Sequence, residues 1–344
     1  MASSDEAVAE ASPEAGVEKN VVTAIRDALH DEMAADDRVI LLGEDVGNRG
    51  GVFRISAGWM EEFGEERVLD TPLAEAGIVG VAIGMSLRGL LPVAEIQFAD
   101  FIHPAFDQIV SEAARFRYRS NGTFGCPMVI RAPCGGGIHG ALYHSQSIEA
   151  FFAHVPGLKV VMPSTPADAA GMLRSAIRDP DPVLFLEHKK TYRAVKGPVP
   201  EGDFEVPLGS ADVKRQGSDL TCVSYGYSLH TCLEAAARLQ EDEGVSVEVV
   251  DVRSLAPLDT ATILTSVRST SRAIVVYEDN RTYGAGAEIV STIAEEAMFD
   301  LDAPVVRVGG PDIPAMPFAT PLEHFYMEPE PDQIYRRMLD LAHF

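Results

Sequence analysis

Apolar residues recur along the chain in two alternating patterns, which predict strands and helices in turn. Short continuous apolar runs predict buried strands, whereas apolar residues spaced three or four apart predict one buried face of a helix. In the first half, strands are predicted at Arg38–Gly43, Leu91–Ile96, Met128–Arg131, Lys159–Met162 and Val183–Glu187. Helices are predicted at Val21–Met33, Ala74–Leu87, Phe101–Ala113 and Ala167–Ile177. Such alternation is typical of a parallel sheet that is covered on both faces.

The alternation pauses in a stretch rich in glycine and proline, Lys196–Pro207, and then resumes. The later strands are predicted at Leu220–Ser224, Val245–Val250, Ala273–Tyr277 and Pro304–Val308. The later helices are predicted at Leu229–Glu241, Thr260–Val267 and Ala285–Met298. The fold class is therefore α/β, with two parallel-sheet domains at 18–195 and 208–344 and a linker at 196–207. Residues 1–17, which are rich in alanine, serine and acidic side chains, predict a disordered acidic N-terminus.

The net negative charge of the chain excludes some classes of binding partner. The chain of 344 residues carries 28 lysines and arginines against 52 aspartates and glutamates, a net charge of −24. Nucleic acid and anionic membranes both require a basic face, so neither is expected as a partner. The acidic surplus fits either solubility in an ordinary cytoplasm or adaptation to high salt, where counterions screen the repulsion. Four cysteines form no disulfide framework, and no targeting or membrane-spanning segment is recognised, so a cytoplasmic location is expected.

Several glycine and histidine patterns do not fit the motifs that they superficially match. Gly284 and Gly286 lack the third small residue of a dinucleotide loop, because Ile289 stands at that position, and a helix start is predicted there instead. Residues 135–137 are three glycines without a following lysine, so they form no P-loop and predict a flexible loop at the carboxyl edge of the sheet. No zinc motif has the spacing of the nearby cluster of Cys134, His139, His144 and His154.

Glu75 is the carboxylate whose surroundings indicate chemistry. It stands where a helix is predicted to begin after an extended segment, with Leu73, Ile78 and Val79 as apolar neighbours. An acidic residue in a first helical turn commonly does no more than favour the helix dipole. A carboxyl group held among apolar residues, however, favours its neutral form and can then donate a hydrogen bond. Glu75 is therefore a candidate for acid–base work.

Five segments carry a resemblance to a known family: Asp70–Gly77, Ala94–Asp100, Ala105–Ile109, Gly140–Ser147 and Leu255–Asp259. With them the chain resembles the beta subunit of the thiamine-diphosphate-dependent decarboxylase component of 2-oxo acid dehydrogenase complexes. The resemblance extends from Val17 to the C-terminus. It implies a transketolase-like pyrimidine-binding domain followed by a transketolase C-terminal-like domain.

The resemblance also implies roles for individual residues. Glu75 corresponds to the glutamate that hydrogen-bonds the pyrimidine ring nitrogen of thiamine diphosphate. Phe101 corresponds to the aromatic residue beside that ring, and Gln97 and Leu73 would line the same site. His144 matches the active-site histidine, which could donate a proton to a lipoyl sulfur during acyl transfer.

Other implied ligands and partners follow from the same family. Related beta subunits hold a potassium ion through carbonyls that correspond to Met128, Val129, Ala176 and Asp179. Magnesium and the diphosphate of the cofactor would be held by an alpha subunit, in a two-alpha two-beta heterotetramer. The second domain would pack against the lipoyl-bearing acyltransferase.

Three alternatives accompany this interpretation. The substrate stays open, since pyruvate, branched-chain and acetoin enzymes share most of these motifs. A non-catalytic assembly subunit of the same fold is a further possibility, although the joint presence of Glu75, Phe101 and His144 argues against it. A self-sufficient transketolase would need a Gly-Asp-Gly motif followed by Asn-Asn. Here Phe204 follows Gly202-Asp203, and the sequence contains no Asn-Asn pair.

Overall fold

The computed structural model describes residues 16–326 and 330–344. The strands are β1 Val17–Asn20, β2 Val39–Gly43, β3 Val68–Asp70, β4 Leu91–Glu95, β5 Val129–Cys134, β6 Lys159–Val161, β7 Val183–His188, β8 Lys196–Val199, β9 Asp212–Arg215, β10 Leu220–Ser224, β11 Val247–Asp251, β12 Ser254–Ala256, β13 Ala273–Asn280 and β14 Val306–Gly310. The helices are α1 Val21–Ala35, α2 Trp59–Phe63, α3 Glu75–Leu87, α4 Phe116–Arg119, α5 Glu149–Ala153, α6 Pro166–Arg178, α7 Thr191–Ala194, α8 Tyr227–Glu243, α9 Thr260–Thr270, α10 Gly286–Glu296, α11 Thr320–Tyr326 and α12 Pro331–Ala342.

The first domain is built on a seven-stranded sheet in the order β12-β6-β7-β5-β4-β2-β3. Its strands run parallel except for β12, which pairs antiparallel with β6. Every residue of β2, β5 and β7 is buried, which explains why their sequences read as continuous apolar runs. Parallel strands place all their carboxyl ends at one edge of the sheet, the edge where ligands bind in α/β proteins.

The second domain has a five-stranded sheet in the order β14-β13-β10-β11-β9, in which only the edge strand β9 is antiparallel. The helix predicted at Ala285–Met298 is confirmed as α10, which begins one residue later, at Gly286. A Cβ atom at Gly286 would lie 2.1 Å from the Tyr277 ring on β13. Glycine at this position therefore serves close packing of a helix on a sheet.

The two domains are connected by a strand that crosses between them and by side-chain contacts. Strand β12 follows β11 of the second sheet in the chain, yet it extends the sheet of the first domain. The Arg253 guanidinium, just before β12, lies 2.7 Å from the Asp168 carboxylate on α6. The Ser164 hydroxyl of the first domain donates to the Asp251 carboxylate of the second over 2.8 Å. These contacts fix how the second domain lies against the first.

The prediction of one regular helix at Phe101–Ala113 is wrong. The segment instead forms short 3-10 turns at Ala99–Phe101 and His103–Ala105, followed by a π-helical turn at Gln108–Glu112. Pro104 lies within it and has no backbone N–H to donate, which favours a break in a regular helix. Phe101 therefore sits in a tight turn.

The predicted linker is shorter than expected. Its first four residues form β8, which pairs antiparallel with β1, so that Val17 lies opposite Val199. Val17, the last residue of the predicted disordered N-terminus, is thus part of a strand, while residues 1–15 lie outside the described residues. Among the described residues, no helix has the length and apolar character required to cross a membrane.

Candidate active site

Glu75 lies at the carboxyl edge of the first sheet, as the first residue of α3. It is buried, with 9% of its surface exposed, and α3 packs on the core through Ile78 and Val79. No side chain or backbone group of the described residues forms a hydrogen bond with its carboxylate, which therefore keeps its hydrogen-bonding capacity for a ligand. A carboxylate in this position also interacts favourably with the positive end of the helix dipole.

Two further side chains come from strand ends at the same edge of the sheet as Glu75. Glu44 follows β2, and Gln97 lies two residues after β4 and donates from its amide to the Glu44 carbonyl over 3.4 Å. Burial, with the negative charges of Asp45 and Glu75, raises the pKa of Glu44. The structure therefore brings Glu75 and Gln97 to one edge, and sequence reasoning missed Glu44. Its position directly after a buried apolar strand was a signal that could have found it.

His144 and Phe101 meet around a third aromatic ring. The His144 ring lies 5.4 Å from the Phe101 ring and 4.6 Å from the Phe98 ring, nearly perpendicular to both. The Nδ1 atom of His144 lies 3.2 Å from the Gly140 carbonyl. A carbonyl only accepts, so Nδ1 carries the hydrogen of this bond, and Nε2 is left for chemistry. Sequence reasoning missed Phe98, although it lies inside a segment that carried the family resemblance.

Leu73 lies in the segment that leads from β3 into α3, and its side chain is 73% exposed. Val81, which lies in the middle of α3, is 53% exposed. Both side chains are open to solvent in the chain by itself. The predicted lining residue Leu73 thus belongs to an open apolar face.

A buried network of ion pairs joins neighbouring strands of the first sheet near its carboxyl edge. The Arg131 guanidinium on β5 pairs with the Glu95 carboxylate at 2.8 Å and with the Glu187 carboxylate at 2.6 Å. Tyr192 donates to Glu187, and the Tyr192 ring packs 4.9 Å from Phe53. Burial and the nearby Glu187 raise the pKa of Glu95 against the opposing charge of Arg131. A charged residue at the end of a predicted apolar strand was the available signal for this network.

Lys189 is a further residue that sequence reasoning missed. It is 3% exposed, and its ammonium has no hydrogen-bond partner within the described part of the chain. The Nζ atom lies 5.8 Å from the Phe98 ring, which also contacts His144. Burial lowers the pKa of Lys189, while the neighbouring charges of Asp100 and Glu278 oppose that shift.

The residues of the implied potassium site lie at the opposite edge of the sheet. Met128 and Val129 stand at the amino end of β5, and Ala176 and Asp179 stand at the end of α6. The carbonyls of Met128 and Ala176 each accept one backbone hydrogen bond and keep a second lone pair. The Asp179 carboxylate is held by the Lys159 ammonium at 2.6 Å. An ion there would connect β5 to α6, far from Glu75 along the strands.

A cleft of about 1350 Å³ separates the two domains beside the segment that carries His144. Tyr143, Gln146 and Phe151 line it from the first domain, and Asp279 and Tyr283 line it from the second. Glu75, Phe101 and His144 do not line this cleft. The residues of the candidate site therefore lie outside the lining of this cleft.

Comparison with known proteins gives matches along nearly the whole chain. The family "Transketolase, pyrimidine binding domain" matches residues 18–195, and "Transketolase, C-terminal domain" matches residues 209–334. The 2-oxoisovalerate dehydrogenase subunit beta of Bacillus subtilis (strain 168) is 54% identical over 323 residues, which cover 94% of this chain and 98% of the relative. The pyruvate dehydrogenase E1 component subunit beta of the same organism is 51% identical over 292 residues, covering 85% and 90%. A solved structure titled "Split gene transketolase, inactive beta4 tetramer" aligns with a TM-score of 0.74 and 25% identity, covering 96% and 99%.

The two sheets and these matches define a class of protein, the two-domain transketolase-like α/β chains. Within that class, the chain belongs to the family of 2-oxo acid dehydrogenase beta subunits. The predicted family and fold class are thereby confirmed.

Proposed function

We propose that this chain is the beta half of a thiamine-diphosphate-dependent decarboxylase, which oxidatively decarboxylates a 2-oxo acid and passes the acyl group to a lipoyl group. The observation that carries the proposal is the buried, unpaired carboxyl of Glu75, which begins helix α3 in a chain 54% identical to a 2-oxoisovalerate dehydrogenase beta subunit. The extents of the two family matches support domains at 18–195 and 208–344.

The residues at this edge fit the pyrimidine end of the cofactor. A buried carboxyl with free hydrogen-bonding capacity suits a basic ring nitrogen, and an aromatic residue such as Phe101 suits a flat ring. Glu75 would hold a proton at the ring nitrogen, while Gln97 and Leu73 would line the ring. When bound, the cofactor supplies the nucleophile and the electron sink for decarboxylation. The protein side chains supply orientation, proton control and exclusion of water.

His144 would act in the second half-reaction. Its Nδ1 atom is held by the Gly140 carbonyl, and two aromatic rings fix the plane of the imidazole. In the imidazolium form both nitrogens carry a hydrogen, so Nε2 could deliver its proton to a lipoyl sulfur as the acyl group is transferred, which leaves the neutral ring with Nδ1 protonated. Histidine suits this role because its ordinary pKa lies near neutral pH.

The substitution His144→Ala is expected to separate the two half-reactions. Lipoyl reduction should fall by about 100-fold, the scale of a lost acid–base group, while decarboxylation measured with an artificial electron acceptor should fall much less. Both rates are measured on the same preparation, and His154→Ala, an exposed histidine of the same domain, serves as the control. Equal losses in the two assays would contradict the role in acyl transfer.

The partners follow from the open side of the site. The exposed apolar surface at Leu73 and Val81 suits burial against a second chain, which we propose to be an alpha subunit in a two-alpha two-beta heterotetramer. That chain would hold magnesium and the diphosphate. The solved transketolase relative is titled an inactive beta4 tetramer, which supports a beta chain that is inactive by itself. The second domain would face the lipoyl-bearing acyltransferase.

The preferred 2-oxo acid can be identified by rate comparison. The similar identities to 2-oxoisovalerate and pyruvate enzymes, 54% and 51%, leave both acids as candidates. The reconstituted complex would be assayed with pyruvate and with each branched-chain 2-oxo acid, and the highest kcat/KM identifies the substrate. Failure to decarboxylate any of them would count against the proposed function.

The acidic surface is proposed as an adaptation to a salt-rich cytoplasm. A net charge of −24 repels itself at low ionic strength, and counterions screen that repulsion. The unfolding temperature should therefore rise by about 5 °C or more between 0.05 and about 2 M potassium chloride. Sucrose at matched osmolality controls for general solute effects. A flat dependence on salt would leave the charge as a solubility feature.

A further inference from the structure

His144 is carried on a loop whose backbone is held in an uncommon conformation. This His144 loop, residues 135–147, leaves β5 and returns to α5, and it closes on itself through the Gly135 amide, which donates to the Gln146 carbonyl over 2.9 Å. His139 and Ala141 have φ values of +57°, in a region that residues with a Cβ rarely adopt. Such residues persist only when surrounding contacts determine the conformation. Three carboxylates from the described part of the chain contact the His144 loop and can determine its conformation.

A carboxylate from the first domain holds the second half of the loop. Asp100 accepts hydrogen bonds from the backbone amides of Ser145 and Gln146, each over 3.3 Å. These are long bonds, and they lie after His144 in the chain. They do not reach the residues with positive φ.

The first half of the loop is held from the second domain. Glu323 on α11 is fully buried, and its Oε1 atom accepts from the amides of Gly137 and His139, each over 3.1 Å. Its other oxygen contacts the His139 ring. One carboxylate thus satisfies two backbone donors of the loop and pairs with a side chain of the loop as well.

Glu278 at the end of β13 adds a second anchor from the same domain. Its Oε1 atom accepts from the Gly136 amide over 2.8 Å and from the Ser147 hydroxyl over 3.3 Å, so it ties together the two ends of the loop. Its Oε2 atom pairs with His188 at 2.8 Å. Although burial alone would raise the pKa of Glu278, His188 and the Gly136 amide hold it at about 2, so the anchor is charged.

We propose that Glu278 and Glu323 are positioning residues of the second domain, which hold the His144 loop in the conformation that presents Nε2 for reaction. Charged carboxylates form stronger hydrogen bonds to backbone amides than neutral acceptors do. The second domain would thereby control the reacting group of the first domain. The inference rests on the proposed role of His144 in acyl transfer.

The test changes the reach of Glu323 and follows both the loop and the reaction. Glu323→Asp keeps the carboxyl group but shortens the side chain, so it loses the two loop amides, whereas Glu323→Gln keeps an acceptor oxygen in place. In the complex with the alpha subunit, Glu323→Asp and Glu323→Ala should raise hydrogen exchange in residues 135–147 by about 10-fold. The kcat for lipoyl reduction should fall by about 10- to 100-fold, with KM for the 2-oxo acid within about twofold, as expected for a misplaced reacting group.

The matched variants make the result decisive. Glu323→Gln should restore most of the rate, and Glu296→Asp, the same change at an exposed glutamate of the second domain, should leave exchange and rate unaltered. Unaltered exchange in Glu323→Asp, or a lower rate in Glu323→Gln than in Glu323→Asp, would overturn the positioning role. Raised exchange with an unaltered rate would uphold the anchoring of the loop and contradict the proposed role of His144, so the two failures are distinguishable. If Glu323→Ala does not fold, the Asp and Gln variants still decide.

Discussion

Replacement of Glu75 by glutamine is expected to lower the decarboxylation rate at least about 100-fold, the scale of a lost acid–base group, while the fold stays intact. Glutamine fills the same space at the start of α3 and can still form hydrogen bonds, but it cannot hold or release the acidic proton. The carboxylate accepts no hydrogen bond from the described residues, so its removal leaves no donor of this chain unpaired. The rate is measured on the assembled complex with saturating cofactor.

Two controls show whether the lower rate of Glu75→Gln comes from lost chemistry or from a disturbed fold. The first-turn charge of α3 contributes only about 0.3–1 kcal/mol through the helix dipole, so the unfolding temperature should change little. Glu66→Gln, the same change at an exposed glutamate of the same domain, should retain the wild-type rate. A Glu75→Gln enzyme that keeps more than half of the wild-type rate would remove Glu75 from the proposed mechanism.

The second large effect is the absence of activity in the chain alone. The candidate site offers groups for an aromatic ring, namely Glu75, Gln97 and Phe101, but no metal-binding cluster of acidic, histidine or cysteine side chains occurs in residues 16–326 and 330–344. A diphosphate requires a metal ion or aligned backbone donors, and the net charge of −24 opposes binding of an anion. By calorimetry with magnesium present, the isolated chain is expected to bind thiamine diphosphate no more tightly than about 1 mM, equivalent to about −4 kcal/mol.

The matched measurement uses the chain co-expressed with its alpha subunit. There the same titration should give micromolar or tighter binding, because the ring and the diphosphate are then held by two chains. Micromolar binding by the isolated chain would contradict the division of the site between subunits.

The positions of the buried strands along the chain could be predicted because their sequences are unambiguous. Strands β2, β5 and β7 lie in the middle of a parallel sheet, where both faces are apolar, so continuous apolar runs reveal them directly. The short strand β3 and the edge strand β12 have no such pattern. Strand β12 depends on a tertiary contact, since it leaves its own domain to pair with β6.

The site divides in the same way. Glu75 could be singled out because an acidic residue among apolar neighbours at a helix start conflicts with its surroundings. The two glutamates that anchor the His144 loop could not be singled out, because they are far from the loop in the sequence. Glu278 lies 142 positions from Gly136, and Glu323 lies 186 positions from Gly137, whose amides donate to them. Neither glutamate stands in a distinctive sequence motif, and only the packing of one domain on the other gives them a role.

Reconstitution tests the central claim most directly. Release of carbon dioxide from pyruvate and from 2-oxoisovalerate is measured for this chain, for its alpha subunit and for the two together, with thiamine diphosphate and magnesium throughout. The account predicts no catalysis by either chain alone and turnover by the mixture, which the Glu75→Gln chain fails to support. Turnover by this chain alone, or a fully active mixture that contains the Glu75→Gln chain, would contradict it.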